Sequence, residues 1–271
     1  LAVRNIENIV KKLGFELYTC VINWEEFKDL QLAYLKASVV DIEAITDHAI
    51  LGALYKLAVK KKIKYILLGT NVATEAILLS LWSFRKYDSI NIKAIHKEFG
   101  QIPLKIFPFV GLWERKFYDY VFKIKFISIL NYIPYIKKDV EKIIIEELGW
   151  RDYGNKHYES IFTRFYQGYI LPNKFKIDKR KAHLSNLICS GQITKGEALQ
   201  ELKQPIYDPE QLKIDKEFVL KKLDLSEREF EDIMKLPARK HTDFLYERPF
   251  YEQYRVLKFF KPFINFIIYK G

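Results

Sequence analysis

Cysteine is scarce in this chain of 271 residues, and its scarcity excludes several kinds of protein. The two cysteines, Cys20 and Cys189, lie far apart and form no CxxC pair, which argues against a disulfide framework and a thiolate zinc site. The first residues contain neither an uninterrupted apolar core nor a cleavage signal, so we expect no secretory peptide. No apolar run reaches the roughly 18–20 residues that span a bilayer. The sequence therefore predicts a soluble protein of the cytoplasm.

Positive charge is in excess but is not concentrated in one segment. The formal net charge is +11 and the pI is about 9.3, values that can indicate nucleic-acid binding. The basic residues nevertheless occur in short groups, most of them at predicted helix ends, where a cation complements the helix dipole. These groups are Lys60–Lys62, Lys137–Lys138, Lys179–Lys181 and Lys221–Lys222. We favour a solvated surface and no nucleic-acid partner, with an anionic small-molecule substrate as the next interpretation.

The first 110 residues combine helix and strand signals. Apolar residues at helical spacing predict helices over residues 1–13, 24–35 and 47–60, the last with Thr46 and Asp47 as its N-cap, and over 74–84. Alternation predicts a strand over Phe15–Ile22, and the apolar run Ile63–Leu68 is typical of a buried parallel strand. Leu104–Phe107 is a further candidate strand. This order predicts an α/β fold with a doubly wound parallel sheet.

From about Trp113 the chain becomes helical and rich in aromatic residues. We predict helices over residues 136–148, 157–170, 178–190, 194–203, 208–223 and 226–235, with Asp178, Thr194 and Ser226 as caps. The predicted domains are therefore 1–110 and a helical region 111–240, followed by an apolar, aromatic tail 241–271. The tail either docks on the body or a partner, or makes a weak contact with a membrane surface.

A polar turn follows the predicted strand Ile63–Leu68. In open α/β sheets ligands bind beyond the carboxyl ends of the strands, and Gly69 there would let a nucleotide approach the backbone. Thr70 and Asn71 supply polar contacts, and Glu75 lies one helical turn further on. The alternative is a tight strand-to-helix turn capped by Asn71 or Thr74.

Three longer stretches carry a resemblance to a known family. They are LAVRNIENIVKKLGFELYTCVINWEEFKDLQLAYLKAS, TDHAILGALYKLAVKKKIKYILLGTN and GWRDYGNKHYESIFTRFYQGYILPNKFKIDKRKAHLSNLICSGQITKGEAL. Together they resemble the N-acetyl sugar amidotransferases of surface-polysaccharide (lipopolysaccharide and O-antigen) biosynthesis, which are PP-loop ATP pyrophosphatases of the HUP-type fold. The similarity extends from residue 1 to about residue 237.

The resemblance implies an activity, cofactors and partners. ATP and Mg²⁺ would adenylylate the oxygen of an N-acetyl group on a nucleotide-linked sugar, and ammonia would then displace AMP to leave an acetamidino group. A glutaminase subunit and a cyclase-like subunit would supply and channel the ammonia. On this interpretation Gly69, Thr70 and Asn71 line the adenylate pocket together with Thr46 and Asp47, and Glu75 is a magnesium ligand.

The sequence departs from the family in one respect. The family's phosphate loop, Ser-Gly-Gly-x-Asp-Ser, follows its first strand, and no such motif occurs in these residues. In the strand order 3-2-1-4-5 that the family implies, Phe15–Ile22 and Ile63–Leu68 are strands 3 and 4, with the two central strands lying upstream. We therefore expect this chain to be inactive unless an N-terminal part is supplied.

A second group of candidate site residues lies in the helical region. His157, Glu159, Lys179, Arg180 and His183 would bind the substrate: the cations suit a sugar-nucleotide diphosphate, and His183 could shuttle a proton. The alternative is a capped, salt-bridged helical appendage. For the whole chain, a tRNA-modifying ATP pyrophosphatase and a non-catalytic remnant or scaffold remain the alternative functions.

Overall fold

The computed structural model describes residues 2–152 and 160–248, and these residues are mainly helical. The α-helices in these ranges are α1 (Ala2–Leu13), α2 (Trp24–Ala37), α3 (Ala44–Lys61), α4 (Val72–Glu75), α5 (Ser89–Phe99), α6 (Leu112–Tyr120), α7 (Lys137–Leu148), α8 (Ile161–Phe165), α9 (Arg180–Cys189), α10 (Lys195–Leu202), α11 (Pro209–Leu223) and α12 (Glu227–Lys235). A π-helix, Tyr166–Phe175, continues directly from α8. The two strands are β1 (Tyr65–Leu68) and β2 (Lys125–Ser128).

The sheet consists of β1 and β2 alone among the described residues. The strands are parallel, in a register that runs from Tyr65 opposite Lys125 to Leu68 opposite Ser128. The prediction of a doubly wound, HUP-type parallel sheet is therefore wrong. The strand within Ile63–Leu68 is confirmed, but it is not buried on both faces, because Tyr65 and Leu67 are 60% and 63% exposed.

The predicted strand Phe15–Ile22 is absent, and this segment is irregular. Its alternating pattern gives it the side chains of a strand, but no described strand pairs with it. Residues 15–21 are all exposed, Phe15 and Val21 by 66% and 87%, and only the last residue of the segment, Ile22, packs against the core. Strand propensity expresses how well a residue fits a paired, half-buried surface. Without that surface the pattern alone does not form a strand.

The predicted strand Leu104–Phe107 is also absent, because a side chain replaces the neighbouring strand. The carboxylate of Glu26 accepts hydrogen bonds from the backbone N–H groups of Lys105 (2.9 Å), Ile106 (3.0 Å) and Phe107 (2.7 Å). Burial raises the pKa of Glu26, but these three donors outweigh it and the net pKa is lowered. Glu26 therefore satisfies backbone donors that a sheet would otherwise pair.

The predicted helix over 74–84 ends early, at Glu75. Asn186 replaces the next intrahelical bonds: its Oδ1 accepts from the Ile77 N–H (2.7 Å), and its Nδ2 faces the Ile77 carbonyl (3.4 Å). The chain then passes through a short 3₁₀ turn at Ser80–Trp82. The helix predicted from residue 47 begins earlier instead, at Ala44, and its N-cap is Glu43 rather than Thr46 or Asp47.

Most helices of the C-terminal region are confirmed, and so are two of the three predicted caps. Thr194 and Ser226 each form a capping box, with Glu197 and Glu229 respectively. Asp178 accepts the N–H of Arg180 (3.0 Å) at the start of α9, although the cap position itself is Lys179. The helix predicted over 157–170 falls partly outside the described residues, and the remainder is α8 and the first half of the π-helix.

The main hydrophobic core joins distant parts of the sequence. It contains Leu30, Tyr34 and Ile45 from α2 and α3, together with Phe165 and Phe230 from the C-terminal helices. All five side chains are almost fully buried. The core thus contains residues on both sides of the boundary predicted at residue 110, while the domain limits themselves remain a prediction.

The hydrogen bonds that Glu26 accepts from residues 105–107, which we call the Glu26 anchor, lead to a stability prediction. Replacing Glu26 by Gln keeps the side-chain shape but removes the charge and points an NH₂ group toward backbone donors. We expect a loss of about 2–3 kcal/mol in the free energy of unfolding, measured by urea denaturation. Glu25→Gln, at an exposed neighbouring position, is the control and should change stability by less than about 0.5 kcal/mol. Equal, small effects of both substitutions would show that Glu26 is not an anchor.

Candidate functional site

The carboxyl ends of β1 and β2 meet at one edge, where the predicted nucleotide residues lie. Because the strands are parallel, Thr70 after β1 lies beside Ser128 at the end of β2, with their hydroxyl oxygens 2.8 Å apart. Asn131 accepts a hydrogen bond from the Val72 N–H at 2.8 Å. The edge is therefore a polar surface built from two segments that lie 58 residues apart in the sequence.

Asn71 and Gly69 have different roles at this edge. Asn71 is buried, and its Oδ1 caps α4 by accepting from the N–H (2.9 Å) and hydroxyl (3.1 Å) of Thr74. A Cβ added to Gly69 would meet no atom within 4 Å. Packing therefore does not require a glycine there, and the Gly69 backbone is open to an approaching molecule. Asn71 has the capping role that the sequence allowed as the alternative to nucleotide contact.

Glu75 is the last residue of α4 and is exposed at the same edge. Burial raises the pKa of Tyr135, and the negative charges of Glu141 and Glu75 raise it further. No group of three or more potential ligands among His, Cys, Asp and Glu occurs in the described part of the chain. A single carboxylate such as Glu75 nevertheless suits Mg²⁺, which commonly takes one or two carboxylates plus phosphate oxygens and water.

Helix α9 packs against α4 and brings the two predicted groups of site residues together. Asn186 on α9 is 2% exposed and makes the hydrogen bonds to Ile77 described above. The Asn186 Nδ2 also donates to the carbonyl of Ala182, one turn earlier, at 3.0 Å. The segment that carries Glu75 is thus fixed to the helix that carries Arg180 and His183.

The cations predicted to bind substrate differ in their surroundings. Arg180 donates to the carboxylate of Asp178 at 2.9–3.2 Å and to the carbonyl of Gln204 at 2.9 Å. The Arg180 guanidinium therefore fixes the start of α9. His183 is half-buried, one turn after Lys179. His157 and Glu159 lie outside the described residues.

Lys179 lies among acidic residues from another part of the sequence. Burial lowers the pKa of its ammonium group, and the carboxylates of Glu43 and Asp41 partly oppose that shift. Its Nζ is 5.6 Å from the centroid of the Tyr166 ring. The Tyr166 hydroxyl donates to the Val40 carbonyl at 2.5 Å, which fixes the ring beneath the lysine.

A second lysine completes this group, which we call the charged cluster: Asp41, Glu43, Asp47, Lys86 and Lys179. The Lys86 Nζ lies 2.6 Å from Asp41 Oδ2 and 3.1 Å from Asp47 Oδ2. Burial lowers the pKa of Lys86, but the two carboxylates outweigh it and raise the pKa overall. Sequence reasoning named Asp47 and Lys179 separately and missed Asp41, Glu43 and Lys86. The only signal for the two acids was the polar connection between α2 and α3.

Comparisons with known proteins relate the C-terminal part of the chain to one biosynthetic process. Residues 159–258 match the family model described as "LPS biosynthesis protein WbpG-like, C-terminal domain". The matched stretch includes α9, the π-helix and the capped helices α10–α12. This match supports a role in lipopolysaccharide biosynthesis. No curated protein and no solved structure was found to match the chain.

Within residues 2–152 and 160–248, no helix combines the length and the apolar character needed to cross a membrane. The tail predicted to contact a membrane surface lies mostly outside these ranges.

His241, beside the charged cluster, gives a pH-dependent stability. Its Nδ1 lies 2.9 Å from Asn91 Oδ1, its ring stacks on Phe84 at 4.4 Å, and burial lowers its pKa to about 4. Because the unfolded chain keeps an ordinary pKa near 6.5, it binds the proton more readily than the folded chain. Stability is therefore complete above pH 6.5 and falls as the pH drops from 6.5 toward 4.

We expect His241 to remove about 2 kcal/mol of stability between pH 8 and pH 5. Urea denaturation of the wild type and of His241→Gln at both pH values measures this. The variant should be less stable at pH 8 but should lose less on acidification. An identical pH dependence in the two proteins would show that His241 does not cause it.

Proposed function

We propose that this chain belongs to an ATP-dependent amidotransferase that converts an N-acetyl group of a nucleotide-linked sugar into an acetamidino group in lipopolysaccharide biosynthesis. The observation that carries the proposal is the packing of α4 on α9 through Asn186. It joins the polar strand edge, a suitable place for ATP, to a helix within the stretch that matches LPS biosynthesis proteins. The resemblance of the longer sequence supplies the type of chemistry.

The reaction requires two displacements. The oxygen of the sugar N-acetyl group attacks the α-phosphorus of ATP, and pyrophosphate leaves. Ammonia then adds to the activated carbon, AMP departs with the former acetyl oxygen, and loss of a proton gives the neutral amidine. Both displacements separate charge, so fixed charges positioned beforehand would lower their barriers.

The described residues would divide these tasks between two neighbouring places. At the strand edge Thr70 and the open Gly69 backbone would contact the nucleotide, and Glu75 would hold Mg²⁺. When bound, the metal would neutralise the charge of the departing pyrophosphate. In the charged cluster, Lys179 would face substrate with a lowered pKa, while Asp47 and Lys86 hold the start of α3 in place.

The proposed reaction can be tested by the source of nitrogen. The assay uses this chain together with the phosphate-loop segment that the resemblance implies, N-acetylated nucleotide sugars, ATP and Mg²⁺, and it follows AMP release. We expect ammonium chloride to support AMP release directly, and glutamine to support it only after a glutaminase is added. Sugar-dependent AMP release without any nitrogen requirement, or glutamine use by this chain alone, would contradict the proposal.

The role of Glu75 can be tested in the same assay. Glu75→Gln should lower ammonium-driven turnover about tenfold or more, because one charge contact to the metal is lost. Raising the Mg²⁺ concentration should restore part of the rate. Glu217→Gln, which neutralises an exposed carboxylate on α11, is the matched control and should leave turnover unchanged. Wild-type kinetics in Glu75→Gln would make Glu75 an ordinary surface residue.

A further inference from the structure

The amino ends of the two strands carry lysines from two distant parts of the sequence. Helix α3 ends in lysines, and two more follow before β1. The parallel pairing places Tyr65 opposite Lys125, the first residue of β2, and the Lys125 N–H donates to the Lys64 carbonyl at 2.7 Å. The two groups of lysines therefore form one surface. We call this surface the basic end, and it consists of Lys60, Lys61, Lys62, Lys64, Lys123 and Lys125.

The basic end keeps most of its positive charge. All six lysines are exposed. Lys61 is the one member that forms an ion pair within the described residues, with Glu16 at 3.9 Å. The carboxylate of Asp119, near the end of α6, instead accepts the Tyr55 hydroxyl at 2.8 Å. The dipole of α3 accounts for the lysines in its last turn but not for those at the strands. The latter therefore suggest an anionic partner.

Three exposed tyrosines lie around the basic end. The ring centroid of Tyr18 is 4.7 Å from the Lys61 Nζ. Tyr65 is opposite Lys125, and Tyr120 ends α6 just before the connection to β2. Because tyrosine combines an apolar ring with a polar hydroxyl, it is enriched where proteins meet the headgroup region of a bilayer.

Aliphatic side chains at the same place distinguish between two kinds of anionic partner. Ile63 before β1 and Val121 after α6 are 43% and 59% exposed. A nucleic acid offers phosphates to lysines and flat bases to tyrosines, but it gives no specific contact to an aliphatic group. An anionic bilayer surface accommodates all three, because cations contact the headgroups while apolar side chains enter the boundary beneath them. The combination therefore favours lipid.

We propose that the basic end docks on the anionic surface of a lipid bilayer. The lysines lie among the headgroups, and the three tyrosines and Val121 enter the boundary below. Each strand has four residues, so the opposite edge, where Gly69 and Thr70 lie, is about 13 Å further from the lipid. The docked chain thus keeps that edge open to a nucleotide from solution. This inference goes beyond the proposed function and does not depend on it.

The test is binding of the full chain to lipid vesicles, measured by co-sedimentation. Vesicles of phosphatidylcholine are compared with vesicles in which about one lipid in four is phosphatidylglycerol. We expect binding to the anionic vesicles only, weakened when the salt concentration rises from about 0.1 M to about 0.5 M, because screening increases. The combined variant Lys60→Gln, Lys64→Gln and Lys125→Gln should lose about fivefold in affinity for each lysine removed.

Matched controls come from α11. The combined variant Lys213→Gln, Lys221→Gln and Lys222→Gln removes the same charge from three other exposed lysines, and its vesicle binding should equal that of the wild type. Val121→Ser removes an exposed aliphatic group and should weaken vesicle binding about threefold. Ile214→Ser is its control, with no change expected. Because all these positions are exposed, each variant should keep the cooperative unfolding transition of the wild type.

Several results would overturn the proposal. Equal losses in the two lysine variants would show that net charge alone governs binding. Equal binding to both kinds of vesicle, or binding to neither, would show that the basic end does not recognise anionic lipid. Wild-type binding by the basic-end variant would assign the contact to another segment, such as the tail 241–271. Binding of a transfer RNA that is lost in the basic-end variant, with no effect of Val121→Ser on vesicle binding, would indicate a nucleic-acid interface instead.

Discussion

Buried carboxylates that accept backbone N–H groups hold the irregular parts of this structure. Glu26 and Asp29, one turn apart on α2, fix the segment after α5: Glu26 accepts from residues 105–107, and Asp29 from the N–H groups of Gln101 at 3.0 Å and Ile102 at 3.3 Å. Asp29 also lies 2.8 Å from the Nε2 of His96. Because buried backbone donors must be paired, these two acids allow a long non-helical segment to pack against α2.

A buried carboxylate that accepts a backbone N–H group also connects the fold to the charged cluster. Asp41 is 3% exposed, and its Oδ2 accepts both the Phe84 N–H (2.8 Å) and the Lys86 ammonium (2.6 Å). One carboxylate therefore fixes the path of the chain after α4 and the position of a cluster lysine. Breaking a buried, paired charge of this kind is strongly destabilising, since the partner remains buried without compensation. Changes at Asp41 would consequently alter folding and the charged cluster together.

Sequence reasoning succeeded where the signal was local. The capping boxes that begin at Thr194 and Ser226 each involve two residues three positions apart in the sequence. They can therefore be recognised without knowledge of the tertiary structure. It failed for Phe15–Ile22 and Leu104–Phe107, because a strand exists only through its partner. For the second segment that partner is replaced by Glu26, which is 79 to 81 positions away in sequence. The resemblance favoured a large sheet, and the described residues form only the β1–β2 pair.

The sequence predicted individual residues of the candidate site but not how they are arranged in space. A polar turn after a strand indicated Gly69–Asn71, and a run of basic residues indicated Lys179 and Arg180. In the structure, however, Lys179 and Arg180 have different surroundings. Arg180 is hydrogen-bonded to Asp178, two positions earlier. The pKa of Lys179 is instead lowered by burial, and the carboxylates of Glu43 and Asp41, about 140 positions earlier, partly oppose that shift. Glu43 contributes to the electrostatic surroundings of that lysine and also lines a cavity bordered by Trp24, Phe27 and Phe162. With three carboxylates and two lysines the cluster keeps a net negative charge, so it suits a further cationic or hydrogen-donating group better than a free phosphate.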